Sequence, residues 1–314
     1  MSDTIEDREG PAPRARAAEI EALLVGAVDL HCHSGPAAMP RILDHHEAMM
    51  DCARAGFRAL LYKDHFYLGT PHAMLLEKLH PETGVRLFSG LALNNASGGF
   101  NPHAVDHAIK IGAKIVWLPT LSAKNHVDVL ASGAVKTFPK TEKRMLDPIP
   151  LTPLGPDGRL TDDVKQILDL VAEGDVILAG GHLSTPEIVA VFEEARARGV
   201  RKLLVNHPTY LVNDMSDADI RGLVALGAVM EHSICMFVAG KSRKFDPPEL
   251  RRVIEVAGVE RTVLCSDLGL VGSPRPVDGY REVVGHLLDL RFSAAEIRTM
   301  IGETAAGLLG LEAA

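Results

Sequence analysis

The chain has 314 residues, 46% of them apolar and 24% charged, and its 33 Lys plus Arg against 41 Asp plus Glu leave a net charge of −8. This is a globular composition, long enough for one large domain or two ordinary ones, and it excludes a disordered or fibrous chain. The acidic balance argues against a phosphate-tracking nucleic-acid surface, and a 4% aromatic share with one Trp against a stacking platform for single strands.

Residues 1–20 read as a polar extension, with Glu6, Asp7, Arg8 and Glu9 ahead of Pro11 and Pro13 and no apolar stretch of a signal peptide. A strand is expected at 27–30, running into His31-Cys32-His33, then a helix over 43–55 that stops at Gly56. The second strand, 58–62, leads into Lys63-Asp64-His65; the third covers 86–91. Asn101-Pro102 opens a helix that ends near Gly112, ahead of a fourth strand at 114–118.

The segment 121–160 carries Pro139, Pro148, Pro150, Pro153 and Pro156 and is expected to form a long loop or small hairpin, a candidate lid. Thr161 caps a helix whose Val164, Ile167, Leu168 and Val171 share one face. The fifth strand, 176–179, ends in Gly180-Gly181-His182, and Thr185-Pro186-Glu187 opens the helix after it. The sixth, 202–205, ends in Asn206-His207-Pro208, and Ser216-Asp217 opens the next helix. The seventh strand, 228–231, closes with Glu231 and His232, and the eighth, 262–265, with Ser266-Asp267.

Eight short β-branched runs separated by helical periodicity are the pattern of parallel strands with crossover helices. A single (β/α)8 TIM barrel over residues 21–314, with an insertion at about 121–160, is the expected fold, and a doubly wound open sheet is its competitor. The barrel is favoured because only a closed sheet brings the ends of strands one and eight to a common site.

Four cysteines without CxxC spacing suggest a reducing, cytoplasmic setting. No run of about 18 apolar residues occurs, so no membrane span is expected. A small molecule becomes the expected partner, with no nucleic acid and no membrane; a homo-oligomer, a dimer first, is what the commonness of closed symmetric assemblies favours.

The 14 His direct the chemistry. His31 and His33 stand at i and i+2 and can present two imidazoles to one cation. His182, His207 and Asp267 each end an apolar run, and a barrel turns all of them to one rim. Four imidazoles and a carboxylate suit a divalent transition metal, zinc first. Lys63 and His65 share a face, and a Lys at the inner end of a barrel strand calls for an anion, a polarised carbonyl, or conversion to a carboxylated metal bridge. Glu231 or His232 is expected to face substrate, the alternative being an internal ion pair to Lys63. Lys241 to Lys244 form a basic patch, read as a solvated loop first and an anion site second. Gly180-Gly181 lacks the spacing of a nucleotide loop, and Ser34 lacks a nucleophile elbow.

This ligand series, together with the ending Ile301-Gly302-Glu303-Thr304-Ala305-Ala306-Gly307-Leu308-Leu309-Gly310-Leu311, resembles the metal-dependent amidohydrolase superfamily over nearly the whole chain, 28–311. The resemblance implies that His31, His33 and Asp267 bind a metal and that His182 is a further ligand. It makes His207 either a ligand of a second metal or a catalytic histidine on the substrate side. It also implies a metal-bound water whose proton passes to Asp267 as the hydroxide attacks a carbonyl. Relatives with two metals bridge them with a carboxylated Lys or a Glu after strand four, where this chain has Pro119-Thr120. Lys124 and His126 lie a few residues beyond, within reach only if that loop folds inward, so one metal per chain is expected and two is the alternative. The implied function is a metal-dependent hydrolase of an amide, cyclic amide or lactone. The alternatives are a metal-dependent nonoxidative decarboxylase, with Lys63 holding the substrate carboxylate, and a noncatalytic binding barrel.

Overall fold

Short runs of β-branched and aliphatic residues, too brief to bury a helix face, pair side by side as β1 (Val28–Cys32), β2 (Ala59–Tyr62), β3 (Arg86–Ala92), β4 (Ile115–Trp117), β5 (Ile177–Ala179), β6 (Leu203–Asn206), β7 (Val229–Ser233) and β8 (Thr262–Cys265). In this computed structural model, which describes residues 13–134, 138–210 and 212–312, the strands are parallel and neighbour one another in sequence order. Seven of the junctions are ladders, that between β1 and β2 with one shift of register. The eighth, between β8 and β1, is made by Asp267 N–H to His31 O (2.7 Å), His33 N–H to Leu268 O (2.9 Å) and a single bridge between Cys32 and Leu268. The sheet therefore closes, and the open-sheet alternative falls away: this is a (β/α)8 barrel.

The helices are α1 (Pro13–Leu24), α2 (His45–Arg54), α3 (Thr70–Leu79), α4 (Pro102–Lys110), α5 (Lys124–Ala131), α6 (Asp162–Gly174), α7 (Thr185–Ala197), α8 (Asp217–Ala225), α9 (Pro247–Ala257), α10 (Pro276–Asp289), α11 (Ala294–Arg298) and α12 (Thr304–Leu309). Their starts are chemically marked. Asp44, Ser184 and Ser216 form capping boxes with Glu47, Glu187 and Asp219, and the Thr161 hydroxyl accepts from Val164 N–H. Val164, Ile167, Leu168 and Val171 of α6 are all fully buried, as their spacing predicts.

Inside the barrel, Val28, Leu30, Leu61, Ile115, Trp117, Ile177, Leu204, Val229 and Val263 pack together, and Ala305 and Leu309 of α12 join them from the end at which the strands begin. Two outer clusters fill the space between strands and helices.

Two segments differ from their sequence reading. From Pro13 the polar extension is helical, and α1 lies against α10 through Ile20 and the ion pairs Arg281–Glu21 and Arg16–Asp289; residues 1–12 lie outside the described residues. The insertion begins with α5 instead of a loop. It carries a Lys124–Asp128 pair at i,i+4, and His126 is its one fully buried residue, so it lacks the apolar stripe by which a helix is read from sequence. Its return is held by bridges between Ala123 and Leu151 and between Leu154 and Leu160.

Candidate metal centre

Strand β1 does not simply alternate. Val28 and Leu30 point into the barrel, which by period two would send His31 outward. The register corrects this: Asp29 stands opposite Leu60 but Cys32 opposite Tyr62, so β1 holds one extra residue. Such a bulge re-aims the side chains after it. It is held by the buried Asp29 carboxylate, whose Oδ1 accepts from His31 N–H and Ser266 N–H, both at 3.0 Å. His31 and His33 thereby face inward, and Cys32 joins Cys52 and Tyr62 in the outer layer.

The facing end of β8 is equally constrained. Asp267 has φ 47° and His207, at the end of β6, φ 31°, a left-handed region costly for residues with a Cβ and frequent at functional sites. Gly269 (φ 113°) passes so close to β1 that a Cβ would lie 1.6 Å from His33 O; only glycine fits there.

These constraints bring three donors together. Asp267 Oδ1 lies 3.2 Å from His31 Nε2 and 3.1 Å from His33 Nε2. Each imidazole is committed on its other nitrogen: His31 Nδ1–H to Glu231 Oε1 (2.6 Å) and His33 Nδ1–H to Lys63 O (3.1 Å). The two Nε2 lone pairs therefore point with a carboxylate oxygen at one place, the tautomers and orientations that metal-ligating histidines need. Glu231 is itself held by Asn206 Nδ2 (2.7 Å) and the Ser233 hydroxyl (3.2 Å). Lys63 Nζ lies 2.9 Å from His31 Nε2 and donates to that same lone pair. Burial pushes the Lys63 amine below its ordinary range despite the nearby Asp267 and Glu231 carboxylates.

Further imidazoles continue around the rim. His182 Nδ1 is 2.8 Å from His126 Nδ1, with the rings stacked. His207 packs 5.0 Å from His182, and His65 lies 5.2 Å from His33 with its Nδ1 on the Thr120 hydroxyl. Burial holds these rings neutral: His207 and His126 fall to about 4, His33 to about 3, and His65 and His182 go well below the usual range. The carboxylates move the other way relative to burial. Desolvation alone would raise Asp267 and Glu231, but the imidazoles around Asp267, and His31 beside Glu231, outweigh it and keep both ionised.

A cavity of about 230 Å³ opens over this cluster. His33, Lys63, His65, His182, His207 and Asp267 line its depth, Met39, Phe138 and Leu270 its wall, and Lys241 and Lys244 belong to its loops. His31 lies beneath, fully buried.

Two residues take places other than those read from sequence. Glu231 does not face the cavity; it is fully buried and orients His31. His232 follows it onto the opposite face of β7, buried, with no partner for either ring nitrogen among the described residues. Val229 already faces the barrel, so period two assigns Glu231 inward and His232 outward. His126 does reach the cluster, because α5 carries it inward. Asn206 was also legible, two residues past the inward Leu204. Asp29, and Cys235, whose Sγ lies 3.6 Å from Asp267 Oδ2, act only through contacts remote in sequence.

Comparison with known proteins gives three findings. A protein-family model described as a family of unknown function (DUF6282) matches residues 26–231. No curated protein matches the sequence. Solved structures share the fold at low identity. A probable dipeptidase, PvdM, from Pseudomonas aeruginosa has a TM-score of 0.63 at 13% identity, covering 95% of this chain and 98% of its own. An amidohydrolase from Pseudomonas aeruginosa gives 0.58 at 11% (93% and 98%), and a mutant of a PTE-like lactonase from Deinococcus radiodurans 0.56 at 13% (92% and 97%). The likeness is one of fold, a (β/α)8 barrel shared over nearly the whole chain.

Proposed function

The chain belongs to this family of unknown function, DUF6282, and on the fold and donor set just described we propose that it is a metal-dependent hydrolase of a small amide, cyclic amide or lactone. The observation that carries the reading is the convergence of two oriented Nε2 lone pairs and the Asp267 carboxylate below a cavity. The names of the similar structures, a dipeptidase and a lactonase, support a carbonyl substrate with a C–N or C–O bond to break.

His31, His33 and Asp267 would hold the ion, with His182 and His207 as further donors on the cavity side. A divalent cation, zinc first for this nitrogen and oxygen set, supplies Lewis acidity toward water and a carbonyl when bound. Asp267 accepts the proton of the attacking water, for which its ionised state is required. The carbonyl carbon gains that oxygen, its bond to nitrogen or oxygen breaks, and the proton passes on to the leaving group. Glu231 keeps the His31 ring in its tautomer, and the neutral rim histidines accept hydrogen bonds without placing positive charge beside the cation. Met39, Phe138 and Leu270 keep bulk water from the substrate's other side.

Elemental analysis of purified protein is expected to find about one equivalent of divalent metal per chain. A screen of amides, cyclic amides and lactones should give an acid product that Asp267→Asn abolishes. Carbon dioxide released from a carboxylic acid arm would replace hydrolysis by nonoxidative decarboxylation. Metal occupancy without turnover of any class would leave a binding barrel.

A further inference from the structure

In a chain with a net charge of −8, the cavity is lined by three lysines, Lys63, Lys241 and Lys244, and by one carboxylate, Asp267. That local reversal of sign is the starting observation, because a cleft of one charge focuses the field on an incoming ligand.

Lys241 and Lys244 lie in the loop that follows β7; both are exposed, and each is tied to its surroundings through its backbone and its side chain. The Lys241 N–H donates to Gly272 O at 3.1 Å, and its alkyl stem runs so close over Gly272 (φ 93°) that a Cβ there would lie 2.5 Å from Cδ and Cε. The stem thus lies in a lane that the absence of a side chain leaves open. The Lys244 N–H donates to Met236 O at 2.9 Å, and its Nζ sits 4.8 Å over the Tyr210 ring. Tyr210 in turn packs 5.2 Å from His207 and 6.1 Å from His182. One aromatic ring therefore stands between the Lys244 ammonium and the histidines at the cavity floor.

Lys241 and Lys244 share with Lys78, Lys114, Lys140 and Lys143 the lack of an ion pair among the described residues, and what sets them apart is their place at the cavity. Lys110, Lys124, Lys165 and Lys202 each pair with an aspartate, and Arg243, between the two cavity lysines, pairs with Asp246. Among the described residues, Lys241 and Lys244 have no carboxylate within ion-pair distance. Two ammonium groups without a carboxylate partner at one cavity favour an anion there, and a divalent ion at the floor would raise the positive potential further.

We propose that the substrate is a small organic anion whose carboxylate or phosphonate-like head group docks between Lys241 and Lys244, with its apolar body on Met39, Phe138 and Leu270. This deepens the hydrolase reading by naming the substrate class, and it rests on that reading for the place of the scissile bond beside Asp267.

The test is calorimetric titration of the metal-loaded full-length protein with probes that carry no cleavable bond: 3-phenylpropanoate, 2-phenylethylphosphonate and the neutral 3-phenylpropane-1-ol. At least one charged probe is expected to bind about tenfold or more tightly than the alcohol, the worth of one charge-assisted contact. The double variant Lys241→Met with Lys244→Met should erase that preference and leave alcohol binding unchanged, which also shows that the cavity is intact. Arg243→Met should leave the preference in place. Equal affinities, no measurable binding of either anion at millimolar concentration, or a preference that survives in the double variant would overturn the proposal. The last result, together with loss of binding on metal removal, would mean capture by the metal alone. Failure of the hydrolase reading shows separately, as absent metal or absent product.

Discussion

The two ends of the barrel solve opposite problems with the same strands. At the end where the strands begin, α12 closes the interior with Ala305 and Leu309 on Val28, Leu30 and their neighbours, and the contacts are apolar. At the other end, the buried Glu231, the half-buried Asp267, a lysine and six imidazoles are gathered, most of them with their hydrogen bonds allotted one by one and His207 Nδ1 without a partner among the described residues. The first end stabilises without regard to chemistry. The second costs stability, in buried polar groups and left-handed backbone at His207 and Asp267, and gives in return a fixed set of donors. Binding and stability should therefore separate along the barrel axis.

The largest effect should come from His31→Ala with His33→Ala: loss of stoichiometric metal by elemental analysis and of hydrolysis to the background rate. Full metal occupancy in that variant would defeat the assignment of the centre. At the closed end, Leu309→Ala should cost about 3 kcal/mol by denaturant unfolding, with metal affinity unchanged in a competition titration; a matching loss of affinity would erase the distinction between the ends. Glu231→Gln, which keeps the shape but weakens the hold on His31 Nδ1, should lower metal affinity about 10- to 100-fold.

A last prediction concerns a histidine belonging to neither end. Burial lowers His232 to about 4 in the folded protein, against an ordinary value of about 6.5. The unfolded chain thus binds the extra proton between these values, so this contribution is whole above pH 6.5 and drains as pH falls toward 4. His232→Leu should make the melting temperature fall less steeply over that range; an unchanged slope would show that this ring does not titrate on unfolding.

Much of this was legible because strands announce themselves by β-branched runs and caps by side-chain chemistry. All eight strands stand within a few residues of their sequence positions. Residues such as His182 and Asp267 could be placed at the rim because each ends an apolar run. The inward turn of His31 is a different case: it depends on Asp29 meeting Ser266 N–H, 237 positions away, and no local pattern encodes it. His126 was similarly hidden, since only the packing of the insertion carries it to His182. The alternation from the inward Val229 is enough to separate Glu231 from His232.

The β8–β1 seam gives the centre a mechanical meaning. It is the one junction among the described strands held by an irregular bridge instead of a ladder, and the donors lie on both sides of it, His31 and His33 on one strand and Asp267 just past the other. An ion bound there is a rivet through the barrel's closing joint. Its binding free energy becomes resistance of that joint to local opening, so amide hydrogens along the seam should exchange more slowly as metal is added, while those of the laddered strands keep their rates.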